Sequence, residues 1–173
     1  GIYNAGYKIG VLMLLVVNGF NMGWQPYFLE KNFDSRSKIY PRINSIVLAI
    51  LGFIWILLLF WTDDLIKTSF YGITFFGSDF FGSLNIIPWI GLSYFFYGFY
   101  HLQTPGVFLK SRPKYAAWTR LFGAFSNIGL CFLLIPIFGA LGAAYATCIS
   151  FGLMALSMFF INRYLIFVRL EYK

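Results

Sequence analysis

The sequence predicts an all-α membrane protein of five transmembrane helices, and three observations carry that prediction. The first is composition. Sixty per cent of the 173 residues are hydrophobic, 23% are aromatic and 11% are charged. A soluble domain carries about 25% charged residues, so this chain is too poor in charge to cover a water-facing surface. The second is the length of its uncharged runs. The third is the way its basic residues alternate between the loops.

A membrane-crossing helix needs about 20 mostly apolar residues. Ile9 to Leu29 is uncharged over 21 residues, Ile43 to Thr62 over 20, Phe80 to Leu109 over 30 and Leu121 to Asn162 over 42. Pro88 places the start of the third helix near Ile86. The fourth run is too long for one span. It divides at Ile135 to Gly139 (IPIFG), where proline ends one helix and glycine permits the turn. The expected spans are therefore about 6–28, 43–62, 86–108, 115–135 and 140–162. The segment 63–85 fits no span. Its Phe70, Tyr71, Phe75, Phe76, Phe80 and Phe81 read as an interfacial piece at headgroup depth.

Lys31, Arg36, Lys38 and Arg42 follow the first span, and Lys110, Arg112, Lys114 and Arg120 follow the third. Arg163, Arg169 and Lys173 follow the fifth. Eleven basic residues thus fall on one side and two, Lys8 and Lys67, on the other. By the positive-inside rule the richer side is cytoplasmic, with Gly1 outside and Lys173 inside. An outside start without a recognisable signal peptide leads to the expectation that spans precede this segment in a longer chain. The formal charge of +7 does not read as nucleic-acid binding, because the cations sit in short loops and form no patch of their own.

The first span is polar on one side. At 100° per residue, Asn4, Lys8, Asn18, Asn21 and Gln25 share roughly 140° of arc. The opposite face holds Ile9, Met13, Val16 and Phe20. Unsatisfied polar groups in lipid cost several kcal/mol each. The arc therefore lines an aqueous substrate cavity or forms a polar seam against a neighbouring helix. Lys8 suits phosphate at the outer mouth or an interfacial anchor, and Arg120, about one and a half turns into the fourth span, suits an anionic headgroup or an anchor. His101 and Gln103 lie in the third span with no carboxylate on it. His101 reads as a hydrogen-bonded packing residue.

Asn127, Ser126 and Thr147 sit among Gly123, Ala124, Gly139, Gly142, Ala143, Ala144 and Ala146. That pattern reads as close helix packing. Pro26, Pro88 and Pro105 break or kink their helices. Cys131 and Cys148 read as small hydrophobes rather than metal ligands or a disulfide. No phosphate loop, nucleophile elbow or metal-ligand cluster appears, and the acids Glu30, Asp34, Asp63, Asp64, Asp79 and Glu171 all fall outside the spans. An enzyme, a metal site and a cofactor are therefore not expected.

Several stretches carry a family resemblance: Gly1 to Ile9 (GIYNAGYKI), Trp24 to Phe28 (WQPYF), Tyr97 to Tyr100 (YGFY), Leu109 to Tyr115 (LKSRPKY) and above all Asn127 to Thr147 (NIGLCFLLIPIFGALGAAYAT). Together they resemble the carboxy-terminal half of Wzx-type polysaccharide biosynthesis proteins. These are flippases of the multidrug/oligosaccharidyl-lipid/polysaccharide exporter superfamily. The resemblance implies a two-lobe, MATE-like transporter in the bacterial inner membrane, with residues 1–173 as most of its carboxy-terminal lobe. It implies a substrate of oligosaccharide on undecaprenyl diphosphate, flipped by alternating access, and membrane lipids and a missing amino-terminal lobe as partners. It places the first span at the central cavity, with Asn4, Lys8, Asn18, Asn21, Gln25 and Arg120 as candidate lining residues. Arg120 departs from the family pattern, where small or neutral residues are usual. A cation-coupled multidrug antiporter on the same fold is the close alternative, although it needs a carboxylate within the membrane. A membrane polymerase or ligase needs a long outer loop with Arg or His, which 63–85 lacks.

Overall fold

A computed structural model of the chain describes residues 2–29, 40–67, 69–70, 73–74 and 84–170. They form five long helices: α1 (Ile2–Leu29), α2 (Tyr40–Lys67), α3 (Ile87–Leu109), α4 (Lys114–Phe138) and α5 (Ala140–Leu170). Between α2 and α3, β1 (Ser69–Phe70) and β2 (Ile73–Thr74) make a two-residue antiparallel ladder. Among the residues placed in loops by the sequence, Lys31, Arg36, Lys38, Tyr71, Phe75, Phe76, Phe80, Phe81 and Lys173 lie outside the described residues.

The contacts fix the direction of each helix. Along α1 and α3, Gly10 meets Ile90, Val17 meets Gly98, and Trp24 clusters with Leu102, so these two run parallel. On α2, Trp55 Nε1 donates to Pro88 O at 3.0 Å, Leu51 meets Gly98, and Ile43 packs beside Leu109, so α2 runs the other way. On α5, Tyr145 stacks edge-on against Trp89 and Asn162 bonds Gln103, again parallel to α3. Asn127 pairs with Ser150 and Thr119 with Met158, so α4 opposes α5. The five helices alternate up and down. Arg42, Lys110, Arg112, Lys114 and Arg163 consequently gather at one end of the bundle, and Lys8 lies toward the other.

The centre of the bundle is α3, which packs against α5, α1 and α2, while α4 packs chiefly on α5. Most of α3 is buried, and Ile90, Tyr100, Leu102 and Val107 are fully enclosed. The outer helices contrast with it. Only 6% of the apolar stretch is buried in α2 and in α4, against 44% in α5. Phe53, Phe60 and Trp61 on α2 and Phe125, Phe132 and Ile137 on α4 stand more than half exposed. Apolar faces of this extent suit lipid rather than water.

Among the described residues, three stretches are long and apolar enough to cross a membrane: Pro41–Trp61, Lys114–Phe138 and Ala140–Tyr164. The stretches in α1 and α3 are less apolar for identifiable reasons. α1 carries Lys8, Asn18, Asn21 and Gln25. α3 carries three tyrosines, His101, Gln103 and Thr104. A helix surrounded by other helices need not be apolar all round.

The expected boundaries agree with the helices to within a few residues, with three differences. α2 continues past Asp63 and Asp64 to Lys67, because charges end a lipid-compatible run without ending a helix. α5 continues past Arg163 to Leu170 for the same reason. Pro136 does not end α4 but lies in its last turn, where one missing N–H is tolerated. The turn itself belongs to Gly139, whose φ of 59° excludes most side chains and whose N–H donates to Ile135 O at 2.8 Å. Gly142 then lies directly against the backbone of Leu134, a contact closed to any Cβ. The IPIFG stretch therefore folds α4 and α5 into a tight hairpin, as the small-residue pattern predicts.

Candidate functional site

Two polar regions lie within the helices, and they are built differently. The first is the arc on α1. The helix buries Gly6, Gly10, Met13, Val17 and Trp24, spaced three, four and seven apart, against α3. That face points roughly 120° away from the centre of the polar arc at 100° per residue. Lys8 and Asn18 are consequently exposed, and Asn21 and Gln25 are half-buried. The side chain of Asn4 lies outside the described residues. Val16, expected opposite the arc on the packed face, is exposed at 39%. The packed face is centred on Met13 and Val17 instead.

A cavity between two lobes, as the resemblance implies, needs a second lobe beyond these residues. The bundle does contain a cleft of about 180 Å³, but α1 contributes Val16, Val17 and Phe20 to it, with Val47, Ile50 and Leu51 of α2 and Gly98 of α3. That cleft is apolar and lies on the other flank of α1 from the arc.

The second polar region is internal. Ser93, His101, Gln103 and Thr104 of α3 and Asn162 of α5 are each buried to 93% or more. Asn162 Nδ2 donates to Gln103 Oε1 at 2.8 Å, and the Asn162 side chain lies hard against Gly106. Ser93 and Thr104 satisfy their hydroxyls on their own helix, donating to Ile90 O and His101 O at 2.7 Å. His101 packs edge-on against Tyr97, with ring centroids 4.5 Å apart, and against Tyr100 at 5.5 Å. The expected packing role for His101 is seen in these ring contacts. Its Nε2 is buried with no hydrogen-bond partner among the described residues.

Two further contacts link helices through tyrosines. Tyr94 donates its hydroxyl to that of Tyr7 on α1 at 2.7 Å. Tyr100, fully buried, donates to Ala116 O at 3.2 Å and accepts from Arg120 Nε at 3.2 Å. The Arg120 guanidinium lies 5.7 Å from the centre of the Tyr100 ring. Arg120 is thus joined to α3 and not to the arc on α1. Of the candidate residues, Asn18, Asn21 and Gln25 share one flank of α1, Lys8 lies toward its far end, and Arg120 belongs to a different contact.

Tyr7, Tyr94, Tyr100 and Asn162 were not singled out as site residues from the sequence. Their partners lie 16 to 87 residues away, and no local pattern reveals such pairs. The available signal was the spacing of Tyr94, Tyr97, Tyr100 and His101, which marks one flank of α3. Both cysteines are free, with Cys148 buried. Among the described residues no three His, Cys, Asp or Glu side chains come together as a metal site.

No protein-family model matches the chain, and no curated protein or solved structure matches it. Among the described residues, fold and site together define a helical protein with three helices long and apolar enough to cross a membrane, carrying one polar helix face that their packing leaves outside.

Proposed function

We propose that this chain is most of the carboxy-terminal lobe of a two-lobe flippase. In this reading it moves lipid-linked oligosaccharide across the bacterial inner membrane by alternating access. The observation that carries the reading is the arc on α1. Lys8 and Asn18 stay exposed and Asn21 and Gln25 half-buried, although neighbouring helices were available to cover them. Polar groups at mid-helix in a membrane must face protein or water, and the described residues do not supply the protein.

All five helices cross the membrane in this proposal. α1 and α3 are long enough, at about 42 and 35 Å for a rise of 1.5 Å per residue, against a hydrocarbon core of about 30 Å. Their lower apolarity follows from their places, α3 at the bundle centre and α1 at the cavity wall. The basic end of the bundle is cytoplasmic.

The chemistry of the substrate fits this arrangement. A sugar-diphosphate headgroup needs hydrogen-bonding groups for its hydroxyls, which Asn18, Asn21 and Gln25 supply. Lys8 offers a cation for phosphate at the outer mouth. Two lobes rocking about such a site would expose it to each side in turn. The antiporter alternative is less well supported, since none of the six acids lies in the apolar part of a helix.

The test is complementation. Asn18→Leu combined with Gln25→Leu, placed in the gene that encodes this chain, should reduce surface polysaccharide several-fold while the protein reaches the membrane in normal amount. Normal polysaccharide with both substitutions present would remove the cavity role.

A further inference from the structure

The position of Arg120 carries an inference that rests on the membrane reading but not on transport. Arg120 is the sixth residue after Lys114, so it sits about 9 Å along α4 from that end at 1.5 Å per residue. It is not simply extended toward water. Its Nε is tied to the buried Tyr100 hydroxyl, and its Cζ lies 5.7 Å from the centre of the Tyr100 ring. Tyr100 is held in turn by Ala116 O. This tether fixes one edge of the guanidinium, while the residue as a whole remains exposed.

Among the described residues no acidic side chain is paired with this charge. Residues 80–170, which contain α3, α4 and α5, include no Asp or Glu. The same end of the bundle carries Lys110, Arg112 and Lys114 in the α3–α4 turn. On the flank of α4 that bears Arg120, Ala117 and Ala124 are small and exposed, which leaves room beside the guanidinium. A cation at this depth is costly unless it meets an anion. The headgroup layer of a bilayer supplies one at that level.

We propose that Arg120, held by Tyr100, binds the phosphate of an anionic glycerophospholipid in the leaflet at the basic end of the bundle, with the α3–α4 turn adding long-range attraction. Arg is suited to this because its fork engages two phosphate oxygens while Nε remains on the tyrosine.

The experiment uses the whole chain, purified in detergent and offered equimolar phosphatidylglycerol and phosphatidylcholine, with retained lipid counted by native mass spectrometry. The wild type should retain phosphatidylglycerol several-fold over phosphatidylcholine. Arg120→Gln should abolish that preference. Arg120→Lys should keep part of it, which separates charge from folding. Tyr100→Phe should weaken it, because the tether is lost. Phe53→Ala, on the exposed face of α2, should leave it unchanged. Equal retention of both lipids by the wild type, or an undiminished preference in Arg120→Gln, would overturn the proposal. If an isoprenyl diphosphate displaced phosphatidylglycerol from the wild type at equal concentration, the site would belong to a transported diphosphate and the phospholipid assignment would fall.

Discussion

Asn21 and Gln25 on α1 and Gln103 and Asn162 on α3 and α5 are the same two residue types, yet the fold treats them differently. Gln103 and Asn162 are buried and bonded to each other at 2.8 Å across two helices. Asn21 and Gln25 are half-buried, and their neighbour Asn18 is exposed, on a helix whose packed face lies elsewhere. The difference teaches how to tell a packing seam from a working face. A seam closes on partners within the fold, whereas a face left outside requires something beyond it. Polarity alone makes no such distinction. Amides of the same types stand on both, and only the contacts separate them.

The largest effect should come from overfilling the seam. Gly106→Val would place carbon where the Asn162 side chain now lies, breaking the Gln103 bond and straining α3 against α5. We expect a loss of about 3 kcal/mol, the sum of modest overpacking and one stranded buried amide, read as the unfolding midpoint in mixed micelles. A midpoint near wild type would mean that the α3–α5 seam is loose.

A smaller loss, about 1–3 kcal/mol, should follow Asn162→Leu, since it leaves Gln103 buried without that partner. Adding Gln103→Leu should recover part of the loss, because two apolar groups replace two polar ones. Purely additive losses in this double-mutant cycle would show that the two amides do not act as a pair.

The smallest stability effect should be on α1. Asn18→Leu should change the unfolding midpoint by less than about 0.5 kcal/mol, as for a side chain outside the packed structure. A loss as large as that for Asn162→Leu would make the arc a seam after all and erase the contrast.

Much of the fold could be read from the residues. The five helices follow from uncharged runs, and the tight α4–α5 turn follows from Pro136, Gly139 and Gly142. The alternation of basic loops anticipates the alternating helix directions. The helices α2 and α5 run on past the expected spans because Asp63, Asp64 and Arg163 limit contact with lipid and not helix formation. The site was less legible. Periodicity located the arc on α1 but could not say which way it points, since that depends on Gly10 fitting against Ile90 and Trp24 against Leu102. The family resemblance, not periodicity, set Arg120 beside the arc as a candidate. The partner of Arg120 proved to be Tyr100, a pairing set by how α3 and α4 approach each other rather than by spacing along either helix.

The central claim is that the arc on α1 faces water in the membrane-embedded protein. It is tested most directly by thiol accessibility in intact cells. Cys131 and Cys148 are replaced by alanine, and single cysteines are placed at Asn18, Gln25, Leu12 and Phe53. Leu12 lies outside the arc on the same helix and is 53% exposed, and Phe53 is 61% exposed on α2. A small water-soluble thiol reagent should modify Asn18→Cys and Gln25→Cys much faster than Leu12→Cys and Phe53→Cys, which should behave as lipid-facing positions. Equal, slow modification at all four would contradict the account.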